Sequence, residues 1–350
     1  MERRVYTRRG TLAAVLPAAC LLACRPSSGR VRLADSRRAM GVPWTITLFA
    51  PTDPAGREAL AAAFAEVARL DAILSDYDPA SELSRLSAAA PTSVPIPVGP
   101  DLWNVLHAAV VFRDASAGAF DPTVGPLTTL WRQARRTRRM PAAEKLAQAL
   151  AAVGPDALVL DGDRRAVHLP RAGARLDLGG IAMGYTADRV LRLLRDRGIE
   201  AALVDASGDV AAAGRPPGTG GWRVAVAGLA GAGEPTSMIE LVDAAVTTSG
   251  DAFQAVEIDG VRYSHIVDPR TGLGIVGPAA VTVIAGDCTT ADALATATSV
   301  LGARAGSALI DTFPGAAGRF LWTADGRLHE STTFAWPSQP AQGRGLRPRL

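Results

Sequence analysis

Apolar residues recur at steps of three and four over 54–75, where Leu60, Phe64, Val67, Leu70 and Leu74 form one stripe and predict an amphipathic helix. A second helix is expected over 101–117, with Leu102, Val105, Leu106, Ala109, Val110 and Phe112 inward and Gly118 as its stop. The helical period returns over 142–152 and again over 182–197, through Ala187, Val190, Leu191 and Leu194 to a stop at Gly198. Strand-like runs fall at 43–50, 157–160 and 166–169. From 201 to 285 the pattern changes: short β-like runs at 201–204, 222–226, 245–248, 255–258 and 279–284 alternate with Gly and Pro turns. Helical segments at 290–301 and 303–310 and a hairpin-like pair at 320–322 and 327–329 close the body. Helices mixed with a long run of hairpins predict an α+β fold, a single compact unit with antiparallel sheets flanked by helices.

The N-terminus follows a different pattern. A basic stretch through Arg9, an apolar run over 11–23 and a small residue before Cys24 have the organisation of a secretory leader. At about 1.5 Å per residue the apolar run reaches roughly 20 Å, short of a roughly 30 Å hydrocarbon core, and no later stretch is expected to span one. Arg8-Arg9 resembles a twin-arginine signal and Leu21-Leu22-Ala23-Cys24 a bacterial lipobox, whose cysteine is acylated. The expected organisation is a signal peptide at 1–23, a tether at 24–39 with Cys24 lipidated, the body at 40–336 and a disordered tail at 337–350. The alternative is an ordinary cleaved signal whose cysteines are apolar filler. On the lipoprotein reading the chain is exported and anchored on the periplasmic side of a bacterial membrane. Cys288 then remains as the single thiol, with no intramolecular disulfide framework.

Composition adds two exclusions. With 48% hydrophobic and 20% charged residues the chain is globular. Four arginines against Glu2 in the leader account for its whole net charge of +3, so the body is neutral and lacks the counterion-release drive of a nucleic-acid binder. One cluster, Arg132, Arg135, Arg136, Arg138 and Arg139, is either a solvated face or a docking surface for an acidic partner.

Three blocks carry candidate chemistry. Asp292 and Thr296 stand four apart at the start of a predicted helix, so a carboxylate and a hydroxyl share one face. With a backbone carbonyl from a neighbouring loop they supply hard oxygens for Mg2+; the alternative is an N-terminal helix cap. His265 follows a strand pattern and precedes an Asp268-Pro269 turn closed by Gly272, which puts its imidazole at a strand end, either to accept a proton from a hydroxyl or to hold the turn. His107, His168 and His329 are expected to be structural. The turns at 177–185, 207–209 and 247–251 lack Rossmann or Walker spacing, though Gly179-Gly180 before a helix permits close approach to a phosphate.

The order of the blocks is more specific than any one of them. Met40-Gly41, Ser75-Asp76-Tyr77-Asp78, Ser81-Glu82-Leu83-Ser84, the 119–127 segment, the 177–188 block, Ser207-Gly208-Asp209, Thr248-Ser249-Gly250, the 265–272 block and the 291–296 block resemble the ApbE family over residues 40–302. The resemblance implies an ApbE-like unit that transfers FMN from FAD to a threonine hydroxyl of an acceptor protein, with AMP released and Mg2+ required. It implies that Met40, Tyr77, Ala119, Phe120 and Asp121 line the flavin pocket, with Gly179 and the His265 turn against the rest of FAD. The Ala182 carbonyl, Asp292 and Thr296 then hold the metal, and His265 activates the threonine. The implied acceptor belongs to a membrane-bound or periplasmic electron-transfer system and carries a Ser/Thr-Gly-Ala-Thr-like segment. Two positions depart from the pattern: Met183 stands where many members have Lys, and Ser207 where they have a second Gly. An Mg2+-dependent FAD pyrophosphatase and a non-catalytic FAD-binding lipoprotein are the alternatives.

Overall fold

The computed structural model describes residues 29–226, 228–229, 237–250, 255–277 and 279–337. The expected leader, Cys24 and the tail beyond Pro337 lie outside them. The elements are β1 (Val31–Ala39), β2 (Val42–Ala50), α1 (Asp53–Leu74), α2 (Glu82–Ala88), β3 (Ile96–Pro97), α3 (Pro100–Ala115), α4 (Gly125–Thr137), α5 (Ala143–Ala151), β4 (Val159–Asp161), β5 (Ala166–His168) and α6 (Ala182–Asp196). They continue with β6 (Ala201–Ala206), β7 (Asp209–Ala213), β8 (Trp222–Val226), β9 (Ser237–Leu241), β10 (Ala244–Gly250), β11 (Ala255–Ile258), β12 (Val261–Val267), β13 (Gly274–Val276), β14 (Ala279–Ala285), α7 (Cys288–Ile310), β15 (Ala317–Ala324) and β16 (Arg327–Thr332).

The expected α+β class holds. One eight-stranded sheet runs β1-β2-β6-β7-β10-β14-β15-β16, antiparallel at every pairing. Against it pack α6 and α7, and α1 packs on α6, β1 and β2. The α1 stripe read from the sequence is buried in full, and it meets Ile46 and Leu48 of β2, Val190 and Leu194 of α6, and Leu294 of α7 in one core. Each such side chain contributes about 1.5–3 kcal/mol when fully buried.

Four details depart from the sequence expectations. Residues 31–39 are not tether but β1, paired with β2 along its whole length through a two-residue loop, Met40-Gly41. Both loop residues have positive φ, +49° and +80°, the condition of a primed turn that matches strand twist. Two helices, α2 and α4, go beyond those the periodicity predicts. By length and composition α7 is apolar enough to cross a membrane, against the expectation of no such stretch. It is instead a core helix, packed on α6, β10 and β14 and broken at Gly302 (φ +74°), between the two helical segments read from the sequence.

A small sheet, β11-β12-β13, packs on α4 through Val256, Ile258 and Val267 against Leu127 and Trp131. Trp131 Nε1 donates to the Gly272 carbonyl at 2.8 Å, which fixes the turn after β12. Cys288 is buried and free.

Candidate active site

The first turn of α6 lies directly on α7. A Cβ added at Gly180 would stand 2.7 Å from Thr296 Oγ1, and one at Gly184 would run into the Cys288 carbonyl and reach 2.9 Å from Asp292 Cβ. Glycine at both positions lets the helices approach closely enough for the Gly184 N–H to donate to Asp292 Oδ2 at 3.2 Å. Ala182, the first residue of α6, lies between these glycines. From the other side Ser249 Oγ, on β10, reaches Thr296 Oγ1 at 3.4 Å. Three sequence blocks, around Gly180, Ser249 and Asp292, therefore converge.

The electrostatics here are one-sided. Burial pushes the Asp292 carboxyl well above its ordinary range, and the neighbouring Asp209 and Asp188 push it further. Asp209, at the start of β7, is raised to about 7 by burial and then by Asp205. Burial also raises Asp188, although Thr289 Oγ1–H and the Cys288 and Thr289 N–H groups donate to it at 2.5 and 2.8 Å. The α7 cap falls to Asp287, which accepts from Thr290 N–H at 2.7 Å. Asp292 thus has no capping duty, and the helix-cap alternative passes to its neighbour.

Asp292, Thr296 and the Ala182 carbonyl supply one charge and two neutral oxygens. Such a set differs from a cluster of three or more His, Cys, Asp or Glu side chains, of which there is none among the described residues. A buried carboxylate surrounded by its own sign is chemically suited to a hard divalent cation.

A second cluster is built around Tyr77. Tyr77 is 73% exposed as a residue, and the Arg132 guanidinium lies over one face of its ring, 4.0 Å from the ring centroid. Arg132 Nη1 donates to Asp76 Oδ2 at 2.5 Å and Nη2 to Asp177 Oδ2 at 3.1 Å. Asp177 also accepts from Thr128 Oγ1 at 2.7 Å and from the Gly179 N–H at 2.8 Å. An unbroken set of contacts therefore leads from Tyr77 through Arg132 and Asp177 to Gly179-Gly180 and on to Thr296. Arg132 is half-buried and ion-paired rather than part of a solvated face, whereas Arg136, Arg138 and Arg139 are exposed. The missed signal is α4 itself, where Thr128 and Arg132 stand four apart with Leu127, Trp131 and Ala134 buried beside them.

His265 lies inside β12, two residues before its end rather than at it, and is half-buried. Its strand packs on α4 and α7, the helices that carry Arg132 and the Asp292-Thr296 pair. Of the other three histidines, His168 Nδ1 is 2.8 Å from Thr92 Oγ1, while His107 and His329 are exposed, the first against Trp103 and the second stacked on Trp322.

The remaining candidates are less accessible. Ala119 and Phe120 are buried, with Phe120 edge-on to Phe112. Asp121 is buried and its Oδ1 accepts from Thr123 N–H and Oγ1–H at 2.8 and 2.6 Å, a closed local turn. Met40 N–H donates to Asp71 Oδ2 at 3.2 Å, and Met183 packs on the main core. Two open depressions, of 430 and 570 Å3, are lined by charged residues of α1, α3 and α6 and by residues near Glu200, and include none of the candidates.

Fold and site together define a mixed α+β protein with a buried acidic cluster where two helices pack closely and an exposed tyrosine linked to it by contacts. The ApbE family model matches residues 40–320, and the chain belongs to that family. It is 33% identical to an FAD:protein FMN transferase of Treponema pallidum, over 91% of each chain. It is 34% identical to one of Vibrio cholerae, over 68% of this chain and 72% of that one. Among solved structures it resembles the flavin transferase ApbE from Vibrio cholerae (TM-score 0.78, 29% identity, 87% of this chain and 98% of that one). It also resembles the apo form of the Pseudomonas stutzeri flavinyl transferase ApbE (TM-score 0.77, 32% identity, 87% and 96%).

Proposed function

We propose that this chain is an FAD:protein FMN transferase that moves FMN from FAD to a threonine hydroxyl of an acceptor protein and releases AMP. The observation that carries this reading is the seating of Gly180 and Gly184 on Thr296 and Asp292, which puts a buried carboxylate among like charges beside a glycine turn suited to a phosphate.

The threonine oxygen attacks the phosphorus on the flavin side of the pyrophosphate. A P–O bond forms there, the P–O bond to AMP breaks, and AMP leaves with the bridging oxygen. His265 accepts the threonine proton. Tyr77 presents an aromatic face to the isoalloxazine, and the N–H groups at the start of α6 face the phosphates. Asp292, Thr296 and the Ala182 carbonyl fit Mg2+, which supplies charge neutralisation of the phosphates. Asp292, whose ionised form burial and Asp209 disfavour, would be favoured as a carboxylate by a divalent charge held there. On this reading the acceptor is a membrane-bound or periplasmic electron-transfer protein with a Ser/Thr-Gly-Ala-Thr-like segment. The enzyme meets it on the periplasmic side, anchored through acylated Cys24.

The test incubates the purified protein with FAD, Mg2+ and an acceptor domain carrying that segment, with and without EDTA. Covalent flavin on the acceptor, lost in EDTA and in Asp292→Ala, supports the reading. Free FMN and AMP with an unlabelled acceptor identify a pyrophosphatase instead, and binding without turnover a non-catalytic flavin carrier. His265→Ala is expected to retain FAD binding and lose transfer; loss of binding would assign His265 to pocket structure.

A further inference from the structure

We propose that Arg132 is a positioning residue for Tyr77, clamping the phenol ring from behind so that its free face is held in register with the α6 turn; this rests on the reading of Tyr77 as the flavin platform. An aromatic ring 73% exposed on the loop between α1 and α2 ordinarily samples several rotamers. Here the backbone that carries it is held and one face of the ring is covered. The N–H groups of Tyr77 and Asp78 both donate to Ser75 Oγ at 3.2 Å, and Arg175 Nη2 donates to the Asp76 carbonyl at 2.7 Å. The Arg132 guanidinium carbon lies 4.0 Å from the ring centroid over one face of the ring.

The geometry separates this role from direct anion recognition. Both terminal nitrogens of Arg132 donate to carboxylates of the protein, Asp76 and Asp177, rather than facing outward to a phosphate. What the arrangement retains is direction. Asp177 holds Arg132 with one oxygen and the Gly179 N–H with the other. The platform and the glycine turn are thereby locked to the same carboxylate, so the distance between the ring end and the phosphate end of a bound dinucleotide is set in advance.

The experiment is a double-mutant cycle of Arg132→Lys and Tyr77→Ala on the full chain, read by FAD titration with flavin fluorescence and by steady-state kinetics. Arg132→Lys keeps a cation for Asp76 and Asp177 but removes the planar cover. It is expected to raise Kd and KM for FAD about three- to tenfold, to weaken flavin fluorescence quenching, and to leave kcat within about twofold. In the Tyr77→Ala background the same change is expected to have no further effect, because Arg132 acts through the ring. Asp76→Asn, which loosens Arg132 without touching the ring, should reproduce the effect in weaker form and serves if the lysine variant does not fold. An unchanged KM in both variants while Tyr77→Ala weakens binding overturns the clamp and leaves the platform standing. An equal loss with and without the ring overturns it too, by showing that Arg132 meets the ligand itself. If Tyr77→Ala binds FAD normally, the platform reading fails and the clamp with it.

Discussion

Asp209 gives the sharpest numerical test of the buried acidic cluster. Its carboxyl rises from an ordinary 3.8 to about 7 through burial and the like charge of Asp205. A folded-state pKa above the unfolded one means that the native protein holds a proton the unfolded chain releases. Stability is therefore full below about pH 4, falls as pH rises, and levels off near pH 7. At about 1.4 kcal/mol for each tenfold change in proton affinity, this one residue costs the folded protein roughly 4 kcal/mol above pH 7, of which about 3 kcal/mol is lost between pH 5 and 8. Asp209→Asn removes the titration and part of the field on Asp292. Thermal unfolding of both proteins in EDTA at pH 5 and pH 8 isolates the effect, because any change in packing of the amide is common to both pH values. The variant is expected to gain up to about 10 °C on the wild type between those conditions. A melting-temperature difference independent of pH would refute the assignment of a buried, protonatable Asp209. Saturating Mg2+ should raise the wild-type melting temperature most at pH 8, where Asp292 ionises more readily.

Three further perturbations probe the frame. Gly184→Ala drives a methyl into the Cys288 carbonyl and Asp292 and is expected to cost about 2–4 kcal/mol in denaturant unfolding; a loss under 1 kcal/mol would mean that α6 and α7 can part freely. Ser207 holds φ +60°, so Ser207→Gly relieves a left-handed backbone and should stabilise by about 0.5–1 kcal/mol net of glycine's greater unfolded-state freedom, with a lowered denaturation midpoint counting against that. Trp131→Phe deprives the Gly272 carbonyl of its donor and is expected to cost about 1–3 kcal/mol and to raise KM for FAD by loosening the turn after His265, which an unaltered denaturation midpoint would contradict.

How much of this could be read from the chain depended on which signal each segment gave. The α1 and α3 stripes were legible because core burial dominates both helices, and the α7 break was legible because Gly302 interrupts an otherwise helical pattern. β1 reads as tether because it is an edge strand with Arg32, Asp35, Arg37 and Arg38 in it. Only one neighbour and one packed face act on it, so it shows almost no hydrophobic alternation. α4 was hidden by its arginines: the charge run from 132 to 139 outweighed the buried spacing of Leu127, Trp131 and Ala134. The pairing of Asp292 with Thr296 was visible as an i, i+4 spacing, but the carboxylates that tune it were not. Asp188 and Asp209 lie far from Asp292 in sequence and are joined to it only by the fold.

Gly180 and Gly184 explain why those groups had to meet. Gly180, in the turn before α6, and Gly184, in its first turn, both lie against α7, where Thr296 and Asp292 stand four apart on one face. The contacts run in opposite order, Gly180 to Thr296 and Gly184 to Asp292, so the two helices pass antiparallel at a distance that side chains larger than hydrogen would forbid. A wider crossing would move the hydroxyl and the carboxylate away together and would break the hydrogen bond from Gly184. The buried carboxylate would then lose both its packing and its donor. Close approach and buried charge are therefore one requirement, and a substitution at either glycine should weaken metal-linked stability and fold stability in the same step.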